Sequence, residues 1–125
     1  MDAVTTRIAK KKILLARANG TTLPKIVKMA FGSGGTDERG IVLKPTEDQR
    51  TLKNEIGRFD ISSRKIVSET QVTYSCKIAE GELNGSSISE IALVDADGDL
   101  LTIKNFTPKK KESNFSFIFS IDDTM

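Results

Sequence analysis

Hydrophobic and polar residues alternate almost without a break from Lys65 to Ala79. Ile66, Val72, Tyr74, Cys76 and Ile78 fall on one face with Ser68 and Thr70. Lys65, Glu69, Gln71, Thr73, Ser75 and Lys77 fall on the other. Successive side chains of a strand point to opposite faces, so this period of two predicts a half-buried strand. The run is long for a single strand, which points to a bulge near Ser68–Thr70 or to continuation into a hairpin. Further strands are expected at Ile88–Val94 and Leu100–Phe106, joined by the two-residue turn Asp97-Gly98. A closing strand presents Phe115, Phe117, Phe119 and Ile121 on one face. Leu23–Phe31 is apolar on both sides, with Val27, Met29 and Phe31 against Ile26 and Ala30. Such a strand is covered twice, on one side by a helix.

That helix is expected first in the chain. Thr5 and Thr6 can cap it, because a hydroxyl accepts from the free amides of a first turn. Ile8, Leu15 and Ala18 form its apolar stripe, with Val4 just before and Ala9 and Ile13 beside it. Lys10, Lys11, Lys12 and Arg17 point away or snorkel at the rim. Asn19-Gly20 ends it. Thr46 with Gln49 makes a capping-box signature, and Leu52, Ile56 and the stop at Gly57 predict a short second helix over Thr46–Ile56. Gly32–Gly40 reads as a loop, and Pro108 with Lys109–Lys111 as a polar turn. The fold class expected is α+β: an N-terminal helix packed on an antiparallel β-sheet or small β-sandwich of about five to seven strands. Length fits one domain, 1–125.

Composition narrows the chemistry. The net charge of +2 is too small to imply a nucleic-acid or membrane partner. Residues 1–30 nevertheless carry seven Lys or Arg against the single acid Asp2. The lone Cys76 excludes an intrachain disulfide and lies on the apolar face of its strand. No apolar run reaches the roughly 20 residues of a membrane span, and Met1–Lys12 lacks the apolar core of a signal peptide. Synthesis in a cytoplasm is expected. With no histidine, acid–base chemistry would fall to carboxylates, Lys77, Tyr74 or Cys76, and no constellation of these forms. An enzyme is not expected, nor is a cofactor.

Three motifs invite a ligand. The glycines of the Phe31–Gly40 segment (FGSGGTDERG) could bring backbone amides close to a phosphate, but Thr36-Asp37-Glu38 stands where a nucleotide loop needs Lys-Ser/Thr. Asp95, Asp97 and Asp99 resemble the start of a calcium loop, whose sixth and twelfth positions are here Leu100 and Phe106 rather than Gly and Glu. A solvated hairpin tip is the expectation, with no metal. The triplets Lys10–Lys12 and Lys109–Lys111 would neutralise phosphates if they shared a surface, which makes a small nucleic-acid-binding module the alternative function.

Two stretches together carry a likeness. Ile13–Gly20 (ILLARANG) followed by Leu23–Gly35 (LPKIVKMAFGSGG) resembles the opening of tail-collar fibre domains of bacteriophages and related contractile tail-like particles. Val72–Ile78 (VTYSCKI), Ile88–Gly98 (ISEIALVDADG, with its E-I-A-L core before an acidic-glycine turn) and Phe115–Phe119 (FSFIF) continue it. Typical members run on into a receptor-binding shaft and tip, whereas this sequence stops at Met125. The resemblance therefore implies an attachment part of a virion tail, made in a bacterial host cytoplasm. Its task would be docking a fibre or baseplate partner by protein–protein contacts. It also implies a homo-oligomer, a trimer. The basic helix face and the glycine loop are the expected contact surfaces, through Lys10, Lys11, Lys12, Arg17, Asp37, Glu38 and Arg39.

Overall fold

The computed structural model describes residues 3–125, and the calls on Met1 and Asp2 fall outside them. It is an antiparallel β-sandwich, not the α+β arrangement expected. The elements in chain order are β1 (Val4–Thr5), α1 (Arg7–Asn19), β2 (Ile26–Gly32), β3 (Glu55–Asp60), β4 (Ser63–Ser68), β5 (Gln71–Ile78), β6 (Ser87–Asp95), β7 (Leu100–Lys110) and β8 (Phe117–Thr124). A five-stranded sheet in the order β1-β7-β6-β2-β3 faces a three-stranded sheet β4-β5-β8. Met29, Phe31, Ile88, Ile91 and Leu93 of the large sheet pack on Cys76, Ile78, Phe119 and Ile121 of the small one. Phe31 and Phe119 meet edge-to-face at 5.3 Å, a geometry that suits their quadrupoles.

The helix adds no layer. Neither buried cluster contains a helix residue, and Ala9 is the one helical side chain that is buried. The expected stripe is displaced: Ala9 and Ile13 face the protein, while Leu15 and Ala18 face solvent. Three consecutive lysines leave too little apolar arc to cover a sheet, so α1 docks on β7 at the sheet margin. Its ends follow the sequence closely. Thr6 Oγ1 accepts from the Ala9 amide at 3.3 Å, and Gly20, at φ 67°, closes the helix. The fully buried Thr6 hydroxyl also donates to Leu100 O at 2.8 Å, tying the cap to β7. Thr6→Ala is expected to cost about 1–2 kcal/mol, visible as a lowered urea midpoint.

The Lys65–Ala79 run is a hairpin. β4 and β5 turn at Glu69-Thr70, with a register shift between Ile66 and Ser68. Every residue of β4 is exposed, Ile66 at 79 %. In β2 a shift between Ile26 and Lys28 brings Ile26 to the same side as Met29. That strand is covered by the small sheet on one side and by residues 33–54 on the other, not by α1. β7 continues through the expected Pro108–Lys111 turn as far as Lys110. Its ladder to β6 is irregular between Asn105 and Lys109, which accommodates a proline with no amide to donate.

The second helix is absent. Thr46 N does donate to Gln49 Oε1 at 3.1 Å, so half of the capping box forms. The chain then turns away. Leu52 is buried with Ala30, Ala92, Val94, Leu100 and Ile103, and Glu55 already opens β3. Residues 33–54 form a strap across the outer face of the large sheet. Tertiary partners override the local helix signal there. No helix among the described residues is long and apolar enough to cross a membrane.

Candidate functional site

The glycine-rich turn does cradle an anion, and the anion is the protein's own. Glu90 is fully buried on β6. Its Oε2 accepts from Gly34 N at 2.7 Å and Asn54 N at 2.8 Å, and its Oε1 from Lys53 N at 2.9 Å. Beside it Ser89 Oγ accepts from Gly35 N at 2.9 Å. A Cβ on Gly34 would lie 2.6 Å from the Lys53 Cβ and 2.8 Å from Glu90 Oε2, and one on Gly35 would collide with the Ser89 carbonyl. These glycines permit close approach of two backbones. Only the tip of the expected loop projects. There Asp37 Oδ1 accepts from Arg39 N at 2.8 Å and Ile41 N at 2.9 Å, leaving Glu38 and Arg39 in solvent.

The acidic hairpin is likewise occupied from within. One oxygen from each of Asp95, Asp97 and Asp99 lies within 4.8 Å of the others. The cation among them is Lys12 Nζ, at 2.6, 3.1 and 2.6 Å respectively. Partial burial works against that charge. Hydrogen bonds to Asp95, Asp99 and Asp97 outweigh it and hold the ammonium well above the ordinary lysine value. Asp95 also fastens the turn, its Oδ1 accepting from Asp97 N at 3.0 Å and Asp99 N at 3.1 Å.

The remaining basic groups are dispersed. Lys10 pairs with Glu47, and Arg7 with Asp48 at 2.6 Å. Lys111 is buried and donates to Glu112 O at 2.9 Å. Of the two lysine triplets, Lys10, Lys12 and Lys111 are thus engaged within the protein, and Lys11, Lys109 and Lys110 are exposed. Of the expected contact residues, Lys11, Arg17, Glu38 and Arg39 are exposed and make no ion pair among the described residues. No hydrogen bond or ion pair joins the helix group to the Asp37–Arg39 tip. The pattern missed one surface: Leu14 is 60 % and Leu15 49 % exposed, between Lys11 and Arg17.

Cys76 is fully buried, which disfavours its thiolate. Burial first, then the charges of Glu82 and Asp60, push its thiol up to about 11. Ellman's reagent is expected to label native protein at least ~100-fold more slowly than protein in denaturant, because access requires unfolding. Equal rates would show that the small sheet opens freely.

The sequence model of the family described as phage tail-collar fibre protein, N-terminal, matches residues 1–117. The chain belongs to that family. No curated protein and no solved structure gave a significant match. The tail-collar fibre chain is a structural component of a phage tail. In this tail-fibre domain the Leu23–Gly35 and Ile88–Gly98 stretches, both part of the likeness, lie in contact, the Gly34-Gly35 amides resting on Ser89 and Glu90.

Proposed function

We propose that the chain is an attachment part of the tail, docking a fibre or baseplate partner through protein–protein contacts. The observation that carries this is the outer face of α1, where Leu14 and Leu15 stand in solvent between Lys11 and Arg17. An amphipathic helix ordinarily turns its leucines to its own core. A solvated leucine pair on a helix that gives the core only Ala9 suits a partner's apolar groove, with the basic residues at its polar rim. Glu38 and Arg39 at the strap's tip offer a second, polar contact. Copies of the chain associate as a trimer in this reading, with α1 outward.

Leu14→Asp combined with Leu15→Asp tests it in phage. Purified virions should lose the protein, while the isolated variant melts within about 2 °C of the parent, as surface changes do. Normal retention in virions would sink the proposal. Light scattering at low and high salt checks the trimer.

A further inference from the structure

At the end of the sandwich beside α1, a cleft of about 220 Å³ lies between the two sheets. That is about seven times the ~30 Å³ share of one water in the liquid, room for an extended alkyl chain. Ala9 and Ile13 of α1, Ile26 of β2 and Leu101 of β7 make its walls apolar, and Tyr74 and Asp123 close the far side.

Two polar groups in the cleft have no side-chain partner among the described residues. Thr102 is 3 % exposed, and its hydroxyl makes no hydrogen bond. A buried hydroxyl in that condition costs free energy that a ligand's N–H would recover. Asp123 is half-buried and makes no hydrogen bond or ion pair among the described residues. Burial raises its carboxyl above the ordinary carboxylate value, the mark of a charge held away from water without a cation beside it. Burial and the Asp123 charge raise the Tyr74 phenol too, against the opposing pull of Arg64. Of the charges that line the cleft, Lys12 and Asp95 pair with each other, which leaves Asp123 as the carboxylate with no ion pair among the described residues.

We infer that this cleft receives a lysine side chain presented by a neighbouring tail protein, its stem along the apolar walls and its ammonium between Asp123 and Thr102. That the lysine belongs to a tail protein rests on the docking reading above; the cleft's chemistry stands apart from it. The probe is therefore small: n-pentylammonium, with n-pentanol and pentanoate as controls, titrated into the isotope-labelled full chain and followed by amide NMR. Saturable shifts are expected at Ile13, Tyr74, Thr102 and Asp123, with a dissociation constant on the order of 10 mM for so few atoms. Pentanol should bind several-fold more weakly and pentanoate not at all. Thr102→Val keeps the volume and should leave the melting temperature unchanged or raised, while weakening pentylammonium about 5-fold. Asp123→Asn should reduce the ammonium to the level of pentanol. Equal binding of pentanol, shifts confined to other regions, or unchanged affinity in both variants would each overturn the inference. Selective pentylammonium binding alongside normal virion retention of the Leu14/Leu15 variant would sink the docking reading and leave the cleft standing.

Discussion

Glu90→Ala is expected to lower the free energy of unfolding by about 4 kcal/mol, the largest effect of any single substitution outside the apolar core. The carboxylate accepts from three backbone amides, on Gly34, Lys53 and Asn54, and is itself fully buried. Removing it orphans those donors, and each buried unpaired N–H costs roughly 1–3 kcal/mol. The strap lies at the surface, so water reaches part of the gap and the low end of that range applies. A domain of this size has about 5–15 kcal/mol in total, so the alanine variant stands near the limit of folding. Glu90→Gln keeps one acceptor oxygen but turns an NH₂ toward a backbone donor. About half the loss is expected from it, which keeps the test readable. Urea unfolding followed by far-ultraviolet circular dichroism measures both. Hydrogen exchange should accelerate first at Gly34 and Asn54. A loss below about 1 kcal/mol for the alanine variant would mean that the strap is held by Leu52 instead.

Lys12→Met should cost about 3 kcal/mol, for the converse reason. The Asp95 side chain is 1 % exposed, and the ammonium 2.6 Å away is its nearest cation. Deleting one member of such a pair leaves the other charge buried and uncompensated, beside two further carboxylates. Adding Asp95→Asn to Lys12→Met should recover more than half of the loss, because the amide oxygen can still accept from Asp97 N and Asp99 N. A double variant no more stable than the single one would show that methionine simply packs badly. In the single variant the three carboxylates lose their resident cation. Millimolar calcium should then raise its melting temperature while leaving the parent's unchanged. The pH dependence has a definite sign. Because the folded-state pKa of Lys12 is raised, its contribution is complete below the ordinary lysine value of about 10.4 and is lost only as pH climbs beyond it.

Both results bear on what could be read from residues alone. Local signals were legible where local chemistry decides. The Thr6 cap, the Gly20 stop, the Asp97-Gly98 turn and the inward face of Val72, Tyr74, Cys76 and Ile78 follow from side chains within a few positions of one another. The helix over Thr46–Ile56 failed because its fate is decided elsewhere: Lys53 and Asn54 give their amides to a carboxylate 37 and 36 residues away. The fold class failed for a related reason. An apolar arc on α1 looks sufficient until Lys12 beside it is seen to be engaged with the hairpin and Lys10 with Glu47. The loop and the solvated hairpin tip expected at the two ligand-like motifs hold only in part, since Gly35 and Asp95 are buried. A glycine turn awaiting an anion and an aspartate cluster awaiting a cation each find the counter-charge in this chain, 56 and 83 residues distant. One clue was present. Glu90 is a lone acid inside the apolar run Ile88–Val94, where a charge needs a buried partner to be tolerated.

The way Glu90 grips the strap has an evolutionary consequence. It holds main-chain N–H groups, which every residue type except proline supplies, and needs glycine where the backbones touch. The side chains of the Glu38-Arg39 tip, unlike the buried Leu52, are thereby released from duty to the scaffold. Their identities can drift, or be selected against a changing partner, while the anchorage beneath them stays the same.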